Sequence, residues 1–154
     1  MTKSSPAVHG MFTIVRDLPH AAERVYAAWS DPAAKAAWFS GPSGQWKPLE
    51  REMDFRVGGR ERARGKWASG VTTDFQAHYL DIVPLRRIVY AYNMHVDDRK
   101  ISVSLATIEL ESTAKGTRMK VTEQGAFLDG YDDAGSRERG TGSLMDALAK
   151  SLER

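Results

Sequence analysis

Two glutamates in this sequence sit where carboxylates are costly. Glu61 lies in Phe55–Trp67 (FRVGGRERARGKW), and Glu123 closes Met119-Lys120-Val121-Thr122-Glu123. In period two, Glu61 shares a face with Phe55, Val57, Ala63 and Trp67, while Arg60, Arg62, Arg64 and Lys66 take the opposite face. The same alternation puts Glu123 with Met119 and Val121. Two carboxylates lining one apolar cavity would have raised pKa values and could serve as general acid and base. The competing expectation is that one pairs with a buried arginine, or that the two lie far apart and each is satisfied locally. A shift of register at Gly58-Gly59 would instead turn Glu61 to solvent.

Around these acids the sequence collects aromatics that carry a polar group. Tyr90 and Tyr92 share a face with Ile88 and Met94, Phe75 and Tyr79 share another, and Trp38, Trp46 and Trp67 stand at element ends. Buried Tyr and Trp want hydrogen-bond partners, and several converging look like a mostly apolar pocket with a few polar contacts. For any single one, ordinary core packing is the competing explanation. The candidate lining is Trp38, Glu61, Trp67, Phe75, Tyr79, Tyr90, Tyr92, Met94, Met119, Glu123 and Leu144, with Glu61 and Glu123 as candidate catalytic groups. Within it, Tyr92→Phe is expected to keep the fold and weaken binding by roughly 1 kcal/mol.

Other chemistries find little support. His9, His20, His78 and His95 lack metal-ligand spacing, and Asp129, Asp132 and Asp133 lack a calcium-loop pattern. No cofactor or metal is implied. No serine nucleophile motif, phosphate loop or dinucleotide fingerprint occurs. The basic row from Arg60 to Lys66 is expected to be solvated edge-strand charge rather than a nucleic-acid strip.

The elements that must position these residues follow from pattern. Gly10–Asp17 alternates as a first strand. Ala21–Gly41 reads as two short helices bent at Ser30-Asp31, with Asp31 as cap and Pro32 in the first position of the second helix. Strands follow over Trp46–Arg51, Phe55–Trp67, Val71–Val83, Ile88–Met94, Ile101–Glu111 and Thr117–Gly125, the last two joined at Lys115-Gly116. A loop from Ala126 to Gly135 precedes a helix over Ser136–Leu152, with an apolar stripe at Leu144, Leu148 and Leu152. Gly140, one turn ahead of Leu144, would leave room over the sheet, unless the helix starts later, near Gly142. This order predicts an α+β domain, a curved antiparallel sheet of about six or seven strands gripping a C-terminal helix.

The 154 residues suit one domain, with an ordered core over about residues 10–152, and 42% hydrophobic content allows a real core. A net charge of +2 and the absence of cysteine are expected of a cytoplasmic protein without disulfides. No apolar run approaches the roughly 20 residues of a membrane span, and Met1–Gly10 has no apolar signal-like core.

Val25–Phe39 (VYAAWSDPAAKAAWF), Gly58-Gly59-Arg60, Leu80–Tyr92 (LDIVPLRRIVYAY) and the VTEQG ending before a long helix resemble the START-like, or SRPBCC, superfamily. More closely they resemble its branch named after the activator homologue of the heat-shock-protein-90 ATPase, often labelled polyketide-cyclase-like. The resemblance implies the helix-grip fold with a pocket between the sheet and the last helix. Thr141, where this branch often has an aromatic, and Glu61 and Ala63, where it often has apolar residues, imply a roomier pocket containing an acid. Chaperone activation belongs to larger members with a further domain and does not follow for this chain. The leading expectation is binding of a small apolar or aromatic molecule. The alternatives are an enzyme of cyclase, dehydratase or hydrolase type, and an interaction module, including a homodimer.

Overall fold

In the computed structural model, which describes residues 4–154, the alternating segments form one seven-stranded antiparallel sheet. The strands are β1 (Ala7–Leu18), β2 (Trp46–Met53), β3 (Arg60–Trp67), β4 (Thr72–Val83), β5 (Arg87–Val96), β6 (Arg99–Thr113) and β7 (Gly116–Leu128), in the order β1-β7-β6-β5-β4-β3-β2. Between β1 and β2 the chain makes α1 (Ala22–Ser30) and α2 (Pro32–Ala36), and α3 (Ala134–Ser151) follows β7. The bend falls where Asp31 caps α2 by accepting from Ala34 N–H at 2.9 Å, with Pro32 next. Asp133 caps α3 in the same way, accepting from Ser136 N–H at 2.8 Å.

Alternation gives the sheet its two faces. Phe12 and Ile14, Phe75, Ala77 and Tyr79, Ile88, Tyr90 and Tyr92, Ala106 and Ile108, and Met119 and Val121 all turn to the covered side. Trp29, Trp38, Met145 and Leu148 meet them from the helices. The indole N–H of Trp38 donates to Ala28 O at 2.9 Å, and that of Trp29 to Met119 Sδ at 3.4 Å, so neither buried ring carries an orphan donor.

Several expectations are corrected. No register shift turns Glu61 outward at Gly58-Gly59, which makes a sharp turn ahead of β3, since that strand begins only at Arg60. Gly58 takes φ +85° in a turn, and a Cβ on Gly59 would fall 2.0 Å from the Asp54 carbonyl oxygen. This turn is tied to β4 by Gly58 N–H to Tyr79 O and Tyr79 N–H to Gly59 O, which holds Glu61 opposite Ala77 on the covered face. Phe55 therefore lies outside the strand, although it still packs on the core, and Val57 is 57% exposed rather than inward. The basic row is not at an edge, since β2 lies beyond β3. Arg62 bridges to Glu50 on β2 and to Asp74 on β4.

The last helix is also rephased. It starts at Ala134, which places Gly140 and Gly142 inside it, and its buried line is Thr141, Met145, Leu148 and Leu152. Leu144 is only half-buried on one flank. Gly140, one turn before it, is exposed, and a Cβ there would meet nothing within 4 Å. The α3 backbone makes its main approach to β1 and stands farther off the rest of the sheet. No described helix is long and apolar enough to cross a membrane.

Candidate functional site

Two adjacent strands, β4 and β5, turn a row of aromatics toward the helices. Ring centroids lie 6.0 Å apart for Tyr79–Tyr90, 5.9 Å for Tyr90–Tyr92 and 4.9 Å for Phe75–Tyr92. Phe39, just after α2, stacks edge-on against Phe75 at 4.8 Å, and Phe55 against Tyr79 at 4.9 Å. These pairs follow from the register, which sets Ala77 opposite Tyr92 and Tyr79 opposite Tyr90.

One carboxylate stands at each end of this row. At the β3 end, Glu61 is 3% exposed, accepts from the Tyr79 hydroxyl and receives the Lys35 ammonium at 2.6 Å on the same oxygen. Lys35 arrives from α2, is 1% exposed, and lies 4.7 Å from the Phe39 ring centroid and 5.5 Å from that of Tyr90. Burial pulls its pKa below the usual lysine value, and Glu61 opposes that pull. Burial, reinforced by Glu61, pushes the Tyr79 phenol far above its ordinary range, so it remains a donor.

At the β7 end, Glu123 accepts from the Tyr92 hydroxyl at 2.5 Å and from Thr141 of α3 at 3.3 Å. Arg137, one turn earlier on α3, donates to Tyr92 Oη at 2.9 Å, Ser102 Oγ at 2.7 Å and Asp132 at 3.0 Å. Burial raises the Glu123 carboxyl above the usual glutamate value, against the lowering effects of the Tyr92 hydrogen bond and the Arg137 charge. Between the two clusters the Tyr90 hydroxyl bonds to no described residue. The Ser104 hydroxyl, on β6, is buried without a partner.

The row thus brings together Glu61, Phe75, Tyr79, Tyr90, Tyr92 and Glu123. Met119 is fully buried beside Trp29, and Trp38 packs on Trp29 with ring centroids 4.9 Å apart. Met94 and Leu144 border the core half-buried. Trp67 lies at the far end of β3, its indole N–H 3.3 Å from Thr73 Oγ1, beside a shallow depression of about 290 Å³ shared with Trp46. A second groove, of about 480 Å³, runs between β1 and the Gly135–Gly142 side of α3.

The two acids are not brought together. Glu61 is on β3 and Glu123 on β7, with β4, β5 and β6 between them, each held by its own tyrosine and beside its own cation. At about 4.8 Å per strand spacing that is roughly 19 Å along the sheet, which curvature shortens. This is the locally satisfied arrangement, with a lysine where an arginine was one expectation. The Tyr92 hydroxyl, expected to be available to a ligand, is committed to Glu123 and Arg137. Sequence reasoning missed Lys35, Arg51, Ser102, Ser104 and Arg137. Lys35 does leave one signal, as the lone charge between Asp31 and Lys47.

A curved antiparallel sheet closed by a C-terminal helix over an aromatic interior with isolated polar groups defines a helix-grip protein of the START-like class, a fold that commonly binds hydrophobic ligands. The chain belongs to the Activator of Hsp90 ATPase homolog 1-like protein family, whose model matches residues 19–153. Among solved structures, an uncharacterized protein of Rhizobium leguminosarum is 43% identical over 99% of both chains, with a TM-score of 0.93. A Rhizobium loti protein is 41% identical, covering 95% of this chain and 99% of its own, with a TM-score of 0.87. An AHSA1-like protein of Aeromonas hydrophila shares the fold at 20% identity, covering 94% of this chain and 92% of its own, with a TM-score of 0.73. A search of curated proteins finds no match.

Proposed function

We propose that this protein binds a small, mostly apolar or aromatic molecule between the inner face of the sheet and α3. The observation that carries the reading is the Ser104 hydroxyl, buried without a protein partner beside an aromatic row whose Tyr90 hydroxyl also bonds to no described residue. A buried hydroxyl with no partner costs about 1–3 kcal/mol, which a ligand oxygen or nitrogen would recover. Ala77 and Ala106 keep the inner face low on β4 and β6, while the α3 backbone stands away from those strands. Glu61 and Glu123 act in this reading as fixed polar walls rather than as one acid–base pair. The absence of cysteine fits a cytoplasmic setting.

Native mass spectrometry of freshly purified protein, compared with the same sample denatured, tests the reading. An added mass lost on denaturation supports it. A bare chain that also takes up no apolar probe at high concentration refutes it.

A further inference from the structure

Arg51 is the charged group for which the interior provides no counterpart. It lies opposite Ala63, so its side chain enters the covered side of the sheet, while its neighbours Glu50 and Glu52 are exposed. The guanidinium carbon lies 5.7 Å from the Phe39 ring centroid, and Nη1 donates to Phe39 O at 2.7 Å. Nη2 is buried and has no hydrogen-bond partner among the described residues. No described carboxylate forms an ion pair with Arg51. Glu61, the acid whose charge reaches it, already receives Lys35 and Tyr79 on one oxygen. Two cations and one anion therefore meet beside Phe39, at the β2–β3 end of the aromatic row.

A buried guanidinium nitrogen without a partner is costly, and a guanidinium fork matches the geometry of a carboxylate or a phosphate. A phosphate dianion would call for a second free cation, and Lys35 is committed to Glu61. We propose that Arg51 anchors the carboxylate of the ligand, so that the bound class is a small aromatic or aliphatic monocarboxylic acid whose apolar body lies along Phe39, Phe75 and Tyr90. This rests on the ligand-binding reading above and narrows it to one chemical class.

The test compares 2-naphthoic acid with 2-naphthamide, which differ in charge and little in shape, by NMR titration of the backbone amides of Phe39, Arg51 and Ala63. A charge-assisted hydrogen bond is worth about 1.5–3 kcal/mol, so the acid should bind at least about 10-fold more tightly than the amide. In Arg51→Gln that preference should vanish, and in Arg51→Lys part of it should survive. Equal binding of acid and amide by the wild type, or a preference that persists in Arg51→Gln, overturns the carboxylate anchor and leaves the pocket standing. Failure of both compounds to shift the interior amides overturns the pocket and the anchor together. Should Arg51→Gln fail to fold, the wild-type ratio and Arg51→Lys still decide.

Discussion

Replacing Lys35 with methionine removes an ammonium and keeps an unbranched chain of similar length. What remains is Glu61, buried, still accepting from Tyr79 but without the cation 2.6 Å away. At an effective dielectric constant near 20, the attraction at that distance is 332/(20 × 2.6), about 6 kcal/mol, and most of it offsets the desolvation of the two ions. The net contribution of the pair is therefore small, whereas removing one partner leaves the desolvation cost of the other uncompensated. Lys35→Met alone should lose about 3–5 kcal/mol, and Glu61→Gln alone a similar amount. The double variant Lys35→Met/Glu61→Gln should lie within about 1 kcal/mol of the parent or above it. Arg51 is the neighbour able to compensate, so Lys35→Met in an Arg51→Gln background should reach the upper end of the range. Urea unfolding followed by tryptophan fluorescence reads this directly, because Trp29 packs beside Lys35, its ring centroid 5.6 Å from the ammonium. Single losses that simply add in the double variant, or a Lys35→Met loss below about 1 kcal/mol, would refute a desolvated, mutually dependent pair.

Four further outcomes follow from the packing of the sheet. Tyr90→Phe removes a hydroxyl with no described partner, so calorimetry should find stability within about 0.5 kcal/mol of the parent and ligand affinity weaker by about 1 kcal/mol. Tyr92→Phe breaks bonds to Glu123 and Arg137 and should instead destabilise the fold by about 1–3 kcal/mol; equal stability of the two variants would contradict this assignment. Because burial raises the Glu123 pKa, the native state keeps that proton to higher pH than the unfolded chain. Its contribution is complete below the ordinary value of 4.5 and declines as pH rises through the folded pKa. The stability of wild type relative to Glu123→Gln should therefore fall as pH increases from 4.5, and a rising difference in denaturant titrations counts against the burial argument. Gly65→Ala would place a Cβ 2.0 Å from the Trp46 indole, so it should displace that ring and cost about 1–3 kcal/mol, whereas an unchanged melting temperature would show that the indole yields freely.

The strands and their faces were readable because period-two alternation needs only neighbouring residues, and it carried Glu61, Glu123, Phe75, Tyr79, Tyr90 and Tyr92 to the covered side. The Asp31-Pro32 boundary was readable for the same local reason, a cap and an imide in adjacent positions. The phase of α3 was not. Leu148 and Leu152 do lie on the buried line, but steps of four residues drift sideways on a helix of 3.6 residues per turn, so Leu144 falls on the flank and Thr141 and Met145 complete the line.

What the sequence determined by itself is an α+β domain whose inner face carries aromatics and two acids. What the tertiary structure decided is their partners. Lys35 sits in a five-residue helix, too short for periodicity to assign a face, and it reaches Glu61 only because α2 folds back over β3. Arg137 reads as surface charge until α3 crosses the sheet and sets it against Tyr92 and Ser102. A buried charge is specified by a counter-charge distant in the chain, 26 residues away for Lys35 and Glu61, and local pattern holds no record of such a pairing.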